Sequence, residues 1–163
     1  MAIFLLGFMG CGKSSVLECF DQDGLDMDQL LEDRLGMTIR DYFTQYGEAA
    51  FRKEERKLLE ELIAIKEPIY VATGGGIVMS PENRLVLKTN KAHNIYLSAP
   101  FEVLYNRITQ DSNSPRPLVV RYSQEELREL FNHRIPFYQE VAGRTISVGN
   151  RSPKEIAALI ENT

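Results

Sequence analysis

The chain has 163 residues, 44% of them hydrophobic and 26% charged, with a formal net charge of −4. That length fits one domain (1–163) able to bury a core without covalent staples, and the acidic balance argues against a non-specific nucleic-acid binder, which would be basic. No apolar run reaches bilayer length, Met1 leads into the first strand without a charged leader, and Cys11 and Cys19 have neither metal-site nor disulfide spacing, so a cytoplasmic protein in a reduced compartment is expected.

Residues 2–6 form a short apolar run that reads as a buried strand. Directly after it, residues 7–14 fit G-x-x-x-x-G-K-[ST], the phosphate-binding loop, and residues 15–20 can continue a helix opened by Ser14. Strand before and helix after is the context that the motif needs. Its glycines let backbone N–H groups turn inward around phosphate oxygens. Lys13 can reach the β- and γ-phosphates, Ser14 can ligate Mg²⁺, and the helix N-terminus favours negative charge. A turn cluster at 21–24 ends this helix, and residues 24–28 read as the end of a second strand.

Helices follow at 29–35, stopped by Gly36, and at 39–46, capped by Thr38 and ended at Gly47. Residues 49–65 form a long amphipathic helix with Phe51, Leu58, Leu59, Leu62 and Ile65 at helical spacing. A buried strand at 69–73 runs straight into Gly74-Gly75-Gly76. Residues 80–87 read as a capped short helix, 94–98 as a strand, and 100–109 as a helix. The stretch 110–120 is polar and Pro-rich with no periodicity, and is long enough to be a functional lid. A capping box at Ser123 opens a helix through Arg134, where Pro136 is expected to kink or break it. Residues 145–148 read as a last strand, and a second capping box at Ser152 opens the terminal helix. The alternation of strands and helices favours a parallel sheet covered on both faces.

Several polar clusters could complete a phosphoryl-transfer site, which needs a phosphate cradle, Mg²⁺, cations over the transferring group and a positioned acceptor hydroxyl. Asp26 and Asp28 alternate along an extended segment. One could serve the Mg²⁺ shell and the other a substrate hydroxyl, or Asp28 could merely cap the next helix. Arg52 and Glu55 share a helix face, either as a solvated i,i+3 pair worth at most about 0.5 kcal/mol or as a pair in which Glu55 aims Arg52 at an anion. The triple glycine forfeits backbone entropy unless something must approach closely. Arg116, beside Pro117 in the polar loop, could close over ATP, and Arg134 could fork a carboxylate. Cys11 reads as a small loop filler, and His93 and His133 receive no role.

In this order the pieces resemble the shikimate kinases, nucleoside-monophosphate-kinase-like enzymes of aromatic amino-acid synthesis. The resemblance rests on 7–14, Asp26-x-Asp28, Gly47-Glu48-x-x-Phe51-Arg52-x-x-Glu55, Thr73 to Gly76, Arg116-Pro117-Leu118 and Arg134-x-Pro136-x-Tyr138, and it covers nearly the whole chain. It implies a three-layer α/β/α fold with a five-stranded parallel sheet of order 2-3-1-4-5, a mobile lid at about 110–121 and substrate-binding helices within about 29–60. It further implies transfer of the γ-phosphoryl group of MgATP to the 3-hydroxyl of shikimate, on the route to chorismate. The catalytic residues would be Lys13, Asp28 and Arg116. ATP would meet Gly10, Cys11, Gly12, Lys13, Ser14 and Ser15, with Arg107, Arg116, Arg151 and Pro153 toward the adenine side. Shikimate would meet Asp28, Phe43, Phe51, Arg52, Glu55, Gly75, Gly76, Pro117 and Arg134. Ser14 and Asp26 would serve the Mg²⁺. A monomer without nucleic-acid or membrane partners is expected. One departure from the family is visible: only 16–25 separates the phosphate loop from the paired aspartates, a shortcut through the usual first helix and second strand. A gluconate-type kinase would have no use for the two arginines with the triple glycine. A regulatory module that has lost catalysis would not need the intact Lys13, Asp28, Arg52, Arg116 and Arg134.

Overall fold

The computed structural model describes residues 1–110 and 122–162. The five strands are β1 (Ala2–Leu6), β2 (Leu25–Asp26), β3 (Ile69–Ala72), β4 (Asn94–Ser98) and β5 (Arg144–Ser147). They form one all-parallel sheet of order β2-β3-β1-β4-β5. In the central strand, neighbouring side chains point to opposite faces, and Phe4 and Leu5 are both fully buried. The sheet is therefore covered on both sides, as its continuous apolar strands require.

The flanking helices are α1 (Lys13–Leu17), α2 (Met27–Leu35), α3 (Ile39–Tyr46), α4 (Glu48–Ile63), α5 (Pro81–Lys88), α6 (Phe101–Gln110), α7 (Gln124–Val141) and α8 (Pro153–Glu161). Their starts follow the capping chemistry. Thr38, Ser80, Ser123 and Ser152 each accept a backbone N–H from the first turn, and Ser123 with Glu126 completes a capping box. At Ser152 the box is half made, because Glu155 reaches the Ser152 hydroxyl rather than its backbone.

One expectation changes and another holds. Pro136 does not end α7, which continues to Val141. The second half is held by burial of Tyr138 and Val141, and this packing outweighs the missing proline N–H. The shortcut after the phosphate loop is also visible: α1 ends at Leu17 and β2 retains two residues. Phe20 in the shortcut stacks on Tyr70 of β3 at 3.7 Å between ring centroids.

The topology brings the site together. Leu5 of β1 stands beside Ala72 of β3, so the chain leaves both strands at the same edge of the sheet. Thr73 locks that edge, donating from its backbone N–H (3.1 Å) and its hydroxyl (2.8 Å) to the Leu5 carbonyl. The phosphate loop and the triple glycine thus emerge side by side at the carboxyl ends of neighbouring strands. This is the ligand crevice of open α/β sheets.

Candidate active site

The loop after β1 turns on Gly10 (φ 84°) and Gly12 (φ 91°), conformations that side chains rarely adopt. Gly12 precedes α1, which starts at Lys13. The Lys13 ammonium folds over the loop and donates to the carbonyls of Gly7 and Phe8. Ser14 Oγ donates to Asp26 Oδ2 at 3.2 Å, and this bond closes the short path between loop and aspartates. Cys11 is buried and fills the loop, as its small size suggested. Ser15 is exposed at the start of α1.

The two aspartates do not alternate along a strand. Asp26 ends β2 and caps α2, its Oδ1 accepting from the backbone N–H groups of Asp28 (3.0 Å) and Gln29 (3.4 Å). Asp28 already lies in the first helical turn. The cap is therefore Asp26, and Asp28 is free to face the cavity. Burial, reinforced by the nearby Asp26, pushes the Asp28 carboxyl above its ordinary pKa, while Lys13 and Arg52 oppose the shift.

Asp28, Ile39, Phe43, Phe51, Arg52, Glu55 and Gly74, Gly75 and Gly76 line one cavity of about 120 Å³. That is below the roughly 300–1,000 Å³ of sites for drug-sized ligands, so a small, polar occupant fits it best. The glycines are a spatial necessity. A Cβ on Gly74 would stand 2.7 Å from Asp28 Oδ1, and one on Gly76 would stand 2.4 Å from Arg52 Nη2. Any side chain at 74 or 76 would displace a charged group.

Arg52 lies 5.8 Å from the ring centroid of Phe43 and 5.3 Å from that of Phe51, and its Nη1 donates to Glu55 Oε1 at 2.9 Å. Glu55 is only 1% exposed, which removes the reading of a solvated surface pair. Its burial pushes the carboxyl up to about 7, against the pull of Arg52. A carboxylate this deep needs strong donors to remain charged. It has a second one in Asn83, whose Nδ2 donates to the same oxygen at 3.0 Å.

Arg134 comes from α7, and its Nη1 would lie 3.7 Å from a Cβ on Gly75. It is 7% exposed, its Nε has no hydrogen-bond partner, and no carboxylate lies within ion-pair distance among the described residues. Burial draws its pKa down, with the neighbouring Tyr138 offsetting part of the shift. The Tyr138 hydroxyl donates to the Gly75 carbonyl, tying α7 to the triple glycine. A buried cation without an acid is costly unless a ligand supplies the anion.

Arg107, Arg151 and Pro153 lie elsewhere. All three are exposed, and none lines the cavity. Arg107 bridges the carbonyls of Gly10 and Gly149, both at 3.3 Å, so it joins the phosphate loop to the segment after β5. Arg151 donates to the Ser147 carbonyl at 2.8 Å, and Pro153 opens α8. The expected lid, with Arg116 and Pro117, lies outside the described residues. Sequence reasoning missed Ile39 and Asn83. Ile39 figured only as the first residue of a capped helix, and a single Asn near a helix start carries no sequence signal for a partner 28 positions away.

Comparison with known proteins points in one direction. A family model described as shikimate kinase matches residues 9–163. A shikimate kinase of Streptococcus thermophilus is 44% identical over 161 residues, with 99% of each chain covered. One of Enterococcus faecalis is 45% identical over 159 residues, covering 95% of this chain and 93% of the relative. Among solved structures, a shikimate kinase from Acinetobacter baumannii in complex with shikimate superposes with a TM-score of 0.85 at 33% identity, covering 99% of this chain and 90% of that one.

Proposed function

The chain belongs to the shikimate kinase family, and from that premise we propose that it transfers the γ-phosphoryl group of ATP to the 3-hydroxyl of shikimate, yielding shikimate 3-phosphate and ADP. The observation that carries the reading is the cavity at the end of β3. There Arg52 and the Asp28 carboxyl lie against three glycines beside the phosphate loop, and the Arg134 guanidinium stands next to Gly75.

In this reading Arg52 and Arg134 grip the carboxylate of shikimate. Arg134 gains an anion that no described residue supplies within ion-pair distance, and the backbone N–H groups of Gly75 and Gly76 add donors. Phe43 and Phe51, with Pro117 of the lid segment, wall the ring. Glu55 holds Arg52 in place. Asp28 orients the 3-hydroxyl and accepts its proton, a role that suits a carboxylate whose pKa is raised. Gly10, Cys11, Gly12 and Ser15 cradle the phosphates with backbone N–H groups. Lys13 leaves the loop carbonyls for the transferring phosphoryl group, and Arg116 approaches it from the lid. Arg107 and Arg151 with Pro153 flank the adenine.

Ser14 and Asp26 would hold Mg²⁺. Their oxygens are hydrogen-bonded at 3.2 Å, the hard donor set that Mg²⁺ prefers. An ion held by these two groups would take the rest of its coordination from nucleotide phosphates and water. When bound, the ion would neutralise phosphate charge. The protein's own contribution is alignment of hydroxyl and phosphoryl group, with charge neutralisation by Lys13 and Arg116. Among the described residues no helix is long and apolar enough to cross a membrane.

The deciding measurement is ADP release coupled to a spectrophotometric readout, with and without shikimate. Shikimate-dependent turnover that needs Mg²⁺ is the expected result. ATP binding by folded protein with no shikimate-dependent turnover would refute the reading.

A further inference from the structure

Asn83 is fully buried at the third position of α5, where a first-turn polar residue usually meets solvent. Its side chain is not needed to start the helix, because the Ser80 hydroxyl already accepts the Asn83 backbone N–H at 3.2 Å. The amide is directed instead at Glu55 Oε1 (3.0 Å), the oxygen that also accepts from Arg52 Nη1 (2.9 Å). Glu55 Oε2 is left facing the triple glycine, 3.4 Å from where a Cβ on Gly74 would stand. With both donors on one oxygen, the carboxylate cannot turn without losing both bonds.

The charged groups facing Glu55 are Arg52 on its own helix and Asp28 from α2, with the neutral Asn83 completing the set from α5. The Asn83 carbonyl Oδ1 has no hydrogen-bond partner. A leucine would fill such a site without leaving a buried orphan acceptor, so packing alone does not account for the amide. Helix α5 is itself braced. Arg84 donates to the Val78 carbonyl at 2.7 Å and pairs with Glu140 of α7 at 3.3 Å, and Lys88 pairs with the same carboxylate at 2.9 Å. The amide is thus presented from an anchored helix.

We propose that Asn83 is a positioning residue of the acceptor site, holding Glu55 Oε1 beneath Arg52 and thereby fixing the guanidinium that receives the shikimate carboxylate. Asn83 does not touch the substrate; it acts through Glu55. This rests on the shikimate reading above.

The test is steady-state kinetics on Asn83→Leu, Asn83→Asp, Glu55→Gln and the double variant Glu55→Gln/Asn83→Leu, varying shikimate and ATP separately, with thermal melts as a folding control. Both Asn83 variants should raise the shikimate KM about tenfold while kcat and the ATP KM stay within about twofold. In the Glu55→Gln background, Asn83→Leu should add nothing, because both substitutions act through one carboxylate. The acid limb of kcat/KM for shikimate should move to higher pH in Asn83→Leu, which has lost a donor to the ionised Glu55. A shikimate KM within twofold of wild type in a folded variant would overturn the proposal. So would an equal rise in the ATP KM, or effects that multiply in the double variant. If Asn83→Leu does not fold, Asn83→Asp carries the test, since it keeps the shape and sets a carboxyl oxygen, which repels the ionised Glu55, where the amide donor stood. Wild-type protein without shikimate-dependent turnover would instead remove the underlying reading, so the two failures are distinguishable.

Discussion

Arg52 and Gly76 are in contact so close that a Cβ at residue 76 would stand 2.4 Å from Nη2 and 3.1 Å from Cζ. What would have to yield is the end of a long side chain, not backbone. Gly76→Ala should therefore fold normally, with a Tm within about 3 °C of wild type, and displace the guanidinium from the cavity. The expected result is a rise of about tenfold or more in the shikimate KM with the ATP KM unchanged. Steady-state kinetics beside a thermal melt checks it. A large loss of Tm with unaltered KM would show that the glycine serves folding rather than Arg52.

Arg134 separates stability from binding. It is a buried cation facing no carboxylate within ion-pair distance among the described residues, with an orphan Nε. Arg134→Met keeps much of the length and removes the uncompensated charge. This variant should be at least as stable as wild type, gaining about 1 kcal/mol or more, while its shikimate affinity falls by about tenfold or more. Denaturant unfolding together with calorimetric titration of shikimate measures both. Destabilisation by several kcal/mol would mean that the guanidinium is satisfied within the protein and is not held ready for a ligand.

Lys13 and Ser14 should behave differently from the arginines. Among the described residues Lys13 donates to two loop carbonyls and to the Cys11 sulfur, so Lys13→Ala removes little from the fold. It should lower kcat by about a hundredfold or more with a small change in the shikimate KM. Chelation of Mg²⁺ should abolish turnover of wild-type protein, and Ser14→Ala should raise the Mg²⁺ concentration for half-maximal rate. A Ser14→Ala enzyme with an unchanged Mg²⁺ requirement would remove Ser14 from the metal site.

Glu55 makes stability and substrate affinity run in opposite directions with pH. Its carboxyl is raised by burial from 4.5 to about 7. Between those values the folded state holds a proton that the unfolded state has lost. Stability therefore falls as pH rises through that window, by at most about 3 kcal/mol, and the penalty is complete above about 7. The ionised form is the one that holds Arg52, so kcat/KM for shikimate should rise across the same window. Glu55→Gln should reduce the slope of both profiles across this window, leaving the part that belongs to Asp28, whose carboxyl burial also raises. Melting temperatures and kinetics from pH 4.5 to 8 check this, and a variant whose melting profile stays parallel to wild type would refute the assignment.

The phosphate loop was legible because its chemistry is contiguous. Gly10, Gly12, Lys13 and Ser14 act through local backbone geometry, which the order of residues dictates. Most helix boundaries were legible for the same reason, since Thr38, Ser80, Ser123 and Ser152 cap within three residues of themselves. The parallel order of the sheet followed from the family resemblance, and the pairing of β1 with β3 and β4 bears it out.

Where local rules competed with packing, packing decided. Proline chemistry argued for a kink or break at Pro136, yet burial of Tyr138 and Val141 carries α7 onward, with Arg134 of the same helix beside Gly75. Extended spacing put Asp26 and Asp28 on opposite sides of a strand, yet Asp26 turns into a helix cap and leaves Asp28 facing the cavity. The i,i+3 spacing of Arg52 and Glu55 suited a solvated surface pair as well as a functional one. Only the fold, by covering Glu55 and bringing Asn83 to it from another helix, made it a buried clamp. The sequence by itself determined the donor side of this protein, because phosphate binding uses neighbouring backbone groups. The acceptor side was decided by tertiary structure, because its charges acquire their direction and pKa from burial among residues that are distant in the chain.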